Sequence, residues 1–222
     1  MTAPRIAKIN QSKLRENVYF ALRDAFTRGE FAPGDSVSLR GLADQLGTSM
    51  TPVREAVRRL VAEGALIDTP SRTLMVPAFD ARRMEDLKKA RLALEALVLD
   101  QTMDRISEET ITALETILSS PGSTGQKPDL QKNYEFHFTL YRSSDSDVLL
   151  PLIEALWLQY GAYLNLVIHH ENVMEIEEHA FHLKIIEALR SNDRAAAHAA
   201  LAKDIERSFQ VIAGDNTNGA PK

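Results

Sequence analysis

The chain has 222 residues, 44% of them hydrophobic, a length that suits one large domain or two small ones with proper cores. It contains no cysteine, which excludes disulfides, thiolate zinc sites and thiol nucleophiles and leaves any metal site to His, Asp, Glu and Asn. The formal net charge of −5 hides an asymmetry: residues 1–79 carry 11 Lys+Arg against 8 Asp+Glu, the remaining 143 carry 15 against 23. A basic piece ahead of an acidic one fits a nucleic-acid-binding head on a body that does not bind nucleic acid.

No run of about 18 apolar residues is present, so no membrane span is expected. Residues 1–11 lack the apolar stretch of a secretory signal, and a cytoplasmic location is expected.

Residues 12–28 read as an amphipathic helix with Leu14, Val18, Leu22, Ala25 and Phe26 on one face, closed by Gly29. After the turn Phe31-Ala32-Pro33-Gly34-Asp35 comes a short helix at 39–46, stopped by Gly47. A third helix is expected over 50–63, with Thr48-Ser49 at its N-cap and Pro52 in its first turn, where a missing N–H costs nothing. Residues 65–68 and 73–76 read as a hairpin around Thr69-Pro70-Ser71-Arg72. Helix, helix, turn, helix and a two-stranded ribbon is the order of a winged helix-turn-helix.

Beyond Pro77 the pattern is helical throughout, with helices expected at 80–105, 107–119, 129–143, 146–169, 173–191 and 193–213. The fold class is therefore mainly α: a winged helix-turn-helix over 10–78 and an all-α bundle over 79–213.

In the third helix Val53, Ala56, Val57 and Leu60 form the inner face, so Ser49, Thr51 and Arg54 point outward at its start. Recognition helices read DNA with their N-terminal residues, and an Arg there can grip guanine or phosphate. Pro52 and Arg72, at the helix start and the wing tip, join the expected DNA-contacting set. Arg58 and Arg59 suit phosphate contact and plain solvation equally.

The stretch Phe31-x-Pro33-Gly34, Leu42-Ala43-x-x-Leu46-Gly47, Ser49-x-Thr51-Pro52-Val53-Arg54-Glu55-Ala56 and Leu60-x-x-Glu63-Gly64 resembles the GntR family of bacterial transcriptional regulators. The resemblance implies that Arg40 and Arg54 contact operator DNA. Two positions depart from the family pattern: Met50 stands where Arg is usual, and Thr73 where the wing carries Gly.

In the acidic part, Asn133 and His137 share a helix face, and His182 and Asp204 lie on consecutive helices joined by the tight turn Ser191-Asn192-Asp193. Spacing alone suits surface or core histidines as well as a divalent cation such as zinc. Arg91-x-x-Leu94-Glu95, Phe136-His137 and His182-x-x-Ile185-Ile186-x-Ala188-Leu189 resemble the FCD (FadR C-terminal) ligand-sensing domain of the FadR-type branch. That resemblance implies a metal held by one Asp and three His, anchoring a carboxylate effector. Here Asn133 takes the Asp position and Asp204 the third His position, so the ligand charge is conserved across the site.

Arg91, Tyr134 and His179 are the expected effector-contacting residues, with a bundle ion pair the other reading of Arg91. Trp157, Tyr160 and Tyr163 read as a core stripe with Leu156, Leu164 and Val167, and His169-His170 as a helix end.

The expected function is a homodimeric regulator, a repressor, whose grip on double-stranded operator DNA is controlled by a small carboxylate or sugar acid. The competing readings are a metal-dependent hydrolytic enzyme and a ligand-independent architectural DNA binder. No enzyme motif accompanies the histidines.

Overall fold

The computed structural model describes residues 11–69, 73–120, 129–168 and 179–216. Helix α1 spans Gln11–Thr27, strand β1 Ser36–Val37, α2 Leu39–Gln45, α3 Met50–Ala62, β2 Ile67–Asp68 and β3 Leu74–Met75. The remainder is helical: α4 Ala81–Met103, α5 Glu108–Ser119, α6 Leu130–Arg142, α7 Leu149–Ile168, α8 Ala180–Arg190 and α9 Arg194–Asn216.

Helix ends follow the capping chemistry of the sequence. Ser38, Asp80, Ser107 and Asp129 each accept a hydrogen bond from the backbone N–H three residues on, starting α2, α4, α5 and α6. Between α2 and α3, Gly47 adopts φ +61°, a left-handed conformation that lets the chain reverse. Asn192 (φ 52°) serves the α8–α9 turn, and Asp193 Oδ1 then accepts from Ala196 N at 2.9 Å.

The sheet has the order β1-β3-β2, all antiparallel, with Ser36 opposite Met75 and Ile67 opposite that same Met75. The expected hairpin is present as β2 and β3, while β1 was not anticipated. Its tip, with Arg72, lies outside the described residues, as do His169 and His170.

Two hydrophobic cores form. The first gathers Val18, Leu22 and Phe26 of α1, Leu42 of α2, Val53, Val57 and Leu60 of α3, and Leu66 and Val76 of the ribbon. The second gathers Val98 and Leu99, Leu114, Phe136 and Tyr141, Ile153 and Trp157, Ile185 and Leu189, and Leu201 and Ile205 from α4 to α9. Helix α7 belongs to both. Its Ile153, Trp157, Tyr160 and Tyr163 face the bundle, whereas Leu158 and Ala162 pack into the first core. The expected core stripe is thus found for Trp157, Tyr160, Tyr163 and Leu164, all buried.

The seam between the cores is polar as well as apolar. Gln159 donates to the Glu63 carbonyl at 2.9 Å, Asn165 to the Gly29 carbonyl at 2.6 Å, and Arg83 to the Gly64 carbonyl at 3.1 Å. Arg23 of α1 reaches Glu154 at 2.9 Å and the Tyr134 hydroxyl at 2.8 Å.

Candidate DNA-reading face and candidate metal centre

On α3, Pro52, Val53, Ala56, Val57 and Leu60 are buried, which leaves Ser49, Met50, Thr51, Arg54 and Arg58 exposed on the opposite side. Ser49 holds the N-cap position, but its side chain makes no capping hydrogen bond. The first N–H groups of α3 therefore lack the serine oxygen that would ordinarily satisfy one of them. Arg54 and Arg58 line a groove between α3 and the ribbon, together with Ser38, Leu39, Asp68 and Thr73. Arg40 is exposed on α2.

The arginines of this region divide into two groups. Arg15 pairs with Glu55 at 3.1 Å; Arg59 pairs with Glu63 at 2.9 Å and lies 3.7 Å from the centre of the Tyr19 ring. Arg40, Arg54 and Arg58 form no ion pair among the described residues, so their guanidinium groups are uncommitted. Beside the two readings expected for Arg59, phosphate contact and solvation, the structure places it against Tyr19 of α1 and Glu63 at the end of its own helix. Pro52 was expected among the DNA contacts; its burial makes it part of the helix start instead.

In the bundle, His137 of α6, His182 of α8 and Asp204 of α9 converge, each buried. His137 Nε2 lies 3.0 Å from Asp204 Oδ2 and 3.2 Å from His182 Nε2; His182 Nε2 lies 3.6 Å from the same Oδ2. A tetrahedral zinc ion with bonds of about 2.1 Å holds its donors about 3.4 Å apart. The triangle has those dimensions, with a fourth position left for another donor. Asn133 stands one helical turn before His137 on α6 and is partly buried.

The charge state of the triad suits a cation. Burial, which favours the neutral ring, pushes the His137 imidazole below its ordinary value against the opposing pull of Asp204. For Asp204 burial works towards protonation, but the contacts with His137 and His182 outweigh it and hold the carboxyl well below the usual range. Arg207 Nη2 fixes the other carboxylate oxygen at 2.8 Å. Behind His182, the Nδ1 of His179 lies 3.3 Å from its Nδ1, and the His182 ring stacks on Phe136 at 4.4 Å.

Arg91 is buried, and its Nε donates to Glu95 Oε1 at 2.6 Å. The guanidinium carbon lies 4.3 Å from the Trp157 ring centre and 4.6 Å from that of Tyr160. Its Nη1 has no hydrogen-bond partner among the described residues. Tyr134 is placed differently from an effector ligand: its hydroxyl is turned to Arg23, and only its ring borders the bundle interior, 6.0 Å from Trp157.

Three participants were missed from sequence. Glu95 is fully buried and accepts from Arg91, Tyr141 and Trp157; Tyr141 bridges Glu95 and His137; Arg207 holds Asp204. A signal for the first existed. Along α4 the buried positions run Met84, Leu87, Arg91, Glu95, Val98, Leu99 and Thr102, so Arg91 and Glu95 occupy the apolar stripe four residues apart.

Sequence comparisons agree with this geometry at both ends of the chain. The profile of the bacterial regulatory proteins of the gntR family matches residues 14–75, and that of the FCD domain matches residues 86–207. The chain belongs to the GntR family, in the branch that carries an FCD domain. It is 27% identical over 215 residues to the HTH-type transcriptional regulator McbR of Escherichia coli strain K12, covering 94% of this chain and 97% of McbR. The Nta operon transcriptional regulator of Aminobacter aminovorans is 27% identical over 191 residues, covering 83% and 89%. The solved structure of E. coli McbR/YncC superposes with a TM-score of 0.84 at 25% identity, over 94% of this chain and 100% of that one.

This GntR-family protein is a DNA-binding transcriptional regulator and not an enzyme. No described helix is long and apolar enough to cross a membrane.

Proposed function

We propose that this regulator is a homodimeric, metal-dependent acid sensor that represses transcription from operators it occupies. The supporting observation is the triangle of His137, His182 and Asp204, three buried donors at tetrahedral spacing around one point. Asn133 would add a neutral oxygen, and the metal would present an open position to an effector carboxylate. His179 would orient His182 through their Nδ1 contact. Arg91, with one buried N–H group unpartnered, would neutralise an effector anion, which favours a small carboxylate or sugar acid over a neutral ligand. A cytoplasmic site of action follows for a protein that reads operator DNA.

The division of labour follows the two cores, with residues 10–78 reading DNA and 79–213 sensing and pairing. Arg40, Ser49, Thr51, Arg54 and Arg72 form the operator-contacting set, with Arg58 added by its exposure and freedom from ion pairs. Two heads in one dimer read two half-sites of a pseudo-palindrome, which is how helix-turn-helix proteins gain specificity. An operator overlapping a promoter is blocked sterically, and repression needs no further contact surface.

The deciding experiment is a melting screen of the full-length protein against zinc, chelator and a panel of small carboxylates and sugar acids, followed by operator titration with any hit. A ligand at about 100 times its Kd adds about 2.7 kcal/mol, a readily measured rise in Tm. Stabilisation by an acid that requires zinc, together with release of DNA, is the expected result. An acid hit insensitive to chelator removes the metal, and equal affinity for every DNA sequence removes the operator.

A further inference from the structure

Tyr141 stands between Glu95 and His137, and the direction of each hydrogen bond in this chain can be deduced. Glu95 accepts from Arg91 Nε at 2.6 Å, from Trp157 Nε1 at 3.0 Å and from the Tyr141 hydroxyl at 2.5 Å. The indole and the guanidinium can only donate, so Glu95 faces them as an acceptor. A phenol has one hydrogen, and that of Tyr141 is committed to Glu95. The lone pairs of its oxygen are what remain for His137 Nδ1, 3.0 Å away. Nδ1 must therefore carry the hydrogen.

A neutral imidazole has only one hydrogen, and the Tyr141 oxygen places it on Nδ1. His137 Nε2 is then a bare lone pair, and it faces a carboxylate oxygen at 3.0 Å. His182 Nε2, 3.2 Å from His137 Nε2 and 3.6 Å from that same oxygen, can supply a hydrogen to both in the metal-free protein, and a bound cation would take its place. In the opposite tautomer Nε2–H would simply donate to Asp204, and the pair would close on itself. We infer that Tyr141 and Glu95 are positioning residues: they lock His137 as its Nδ1–H tautomer and thereby keep Nε2 available as a metal ligand. This inference rests on the metal-site reading above, but its tautomer half stands without it.

The test uses full-length protein labelled with 15N-histidine, free of metal, in wild-type, Tyr141→Phe and Glu95→Gln forms. Histidine tautomers are read from long-range 15N–1H spectra, and His137→Gln assigns the resonance. Zinc affinity is then measured by chelator competition. Wild type is expected to show His137 protonated at Nδ1, and Tyr141→Phe to shift it towards Nε2–H with zinc affinity lower by about 10–100-fold. Glu95→Gln keeps the shape but supplies a donor to the tyrosine oxygen, freeing the phenol hydrogen for Nδ1, and should move the tautomer the same way. An Nε2-protonated His137 in wild type, or an unchanged tautomer in both variants, overturns the relay. A tautomer that shifts as expected in a protein that binds no zinc supports the relay and removes the metal reading alone.

Discussion

Arg23 of the DNA-binding half donates to the hydroxyl of Tyr134 in the FCD half, and the Tyr134 ring stands edge-on to Trp157, whose indole lies 5.1 Å from the His137 ring. Three side chains thus join the triad of His137, His182 and Asp204 to α1. An effector that shifts Trp157 changes the seat of Tyr134 and, through it, the hold on Arg23. Tyr134→Phe keeps the ring and deletes the hydrogen bond, worth about 1 kcal/mol. Couplings between sites are typically about 1–3 kcal/mol, so this variant should bind effector as before while its operator response shrinks several-fold. Operator titrations with and without effector read this, and an undiminished response would place the coupling elsewhere.

The uncommitted arginines should separate from the committed one on DNA. Arg54→Ala is expected to weaken operator binding by about 1–3 kcal/mol, or about 5- to 150-fold. Arg40→Ala, if it removes a phosphate contact, should also reduce the slope of log affinity against log salt by about one. Arg59→Ala should leave the salt slope unchanged and instead lower the stability of the head by about 1 kcal/mol, since its guanidinium is spent on Glu63 and Tyr19. Fluorescence anisotropy on an operator fragment at several salt concentrations distinguishes the three, and a large DNA defect in Arg59→Ala would show that α3 presents a different face.

What could be read from the sequence was local. Gly47, Pro52 in the first turn and the spacing of Val53, Val57 and Leu60 announce α3 within fifteen or so residues of chain, because turn chemistry and helical period are local properties, whereas the expected Ser49 capping bond is not made. Strand β1 escaped because two residues, Ser36 and Val37, carry no period, and only their pairing with β3 nearly forty residues later makes them a strand. His137 and His182 could be matched to a known pattern, and the antiparallel turn at Asn192 brings Asp204 level with them. Tyr141 could not be told from a core tyrosine, since its role depends on Glu95, a residue on another helix. The sharing of α7 between two cores was equally hidden, because each of its faces reads as ordinary apolar helix.

The buried pair Arg91–Glu95 should behave as an all-or-none unit. Removing one partner leaves an uncompensated charge in the interior, at a cost of about 3–5 kcal/mol. Glu95→Ala also strands the Trp157 and Tyr141 donors, so it should be the more damaging of the two single substitutions. The double variant Arg91→Met/Glu95→Leu removes the uncompensated charge and should recover part of the stability, although the Trp157 and Tyr141 donors stay unpartnered. It should not recover acid binding. Urea unfolding of the three proteins gives the comparison, and equal stability of single and double variants would mean that water reaches the pair.

Gly161 offers the sharpest test of how closely the two halves dock. It lies inside α7, where replacing glycine by alanine ordinarily stabilises a helix by about 1 kcal/mol. Here an added Cβ would collide with the backbone carbonyl of Phe26 and sit 3.1 Å from Thr27 Cα, so the obstacle is main chain at the end of α1, which cannot rotate away. Neighbouring Leu158 and Ala162 are buried in the first core and depend on that close approach. Gly161→Ala should therefore lower the Tm, and α1 should lift from α7, taking the Asn165–Gly29 hydrogen bond with it. Hydrogen exchange would then rise at the C-terminal end of α1 while α4 and α9 stay protected. A Tm raised by the substitution, with exchange unchanged, would show that the halves stand farther apart than this packing requires.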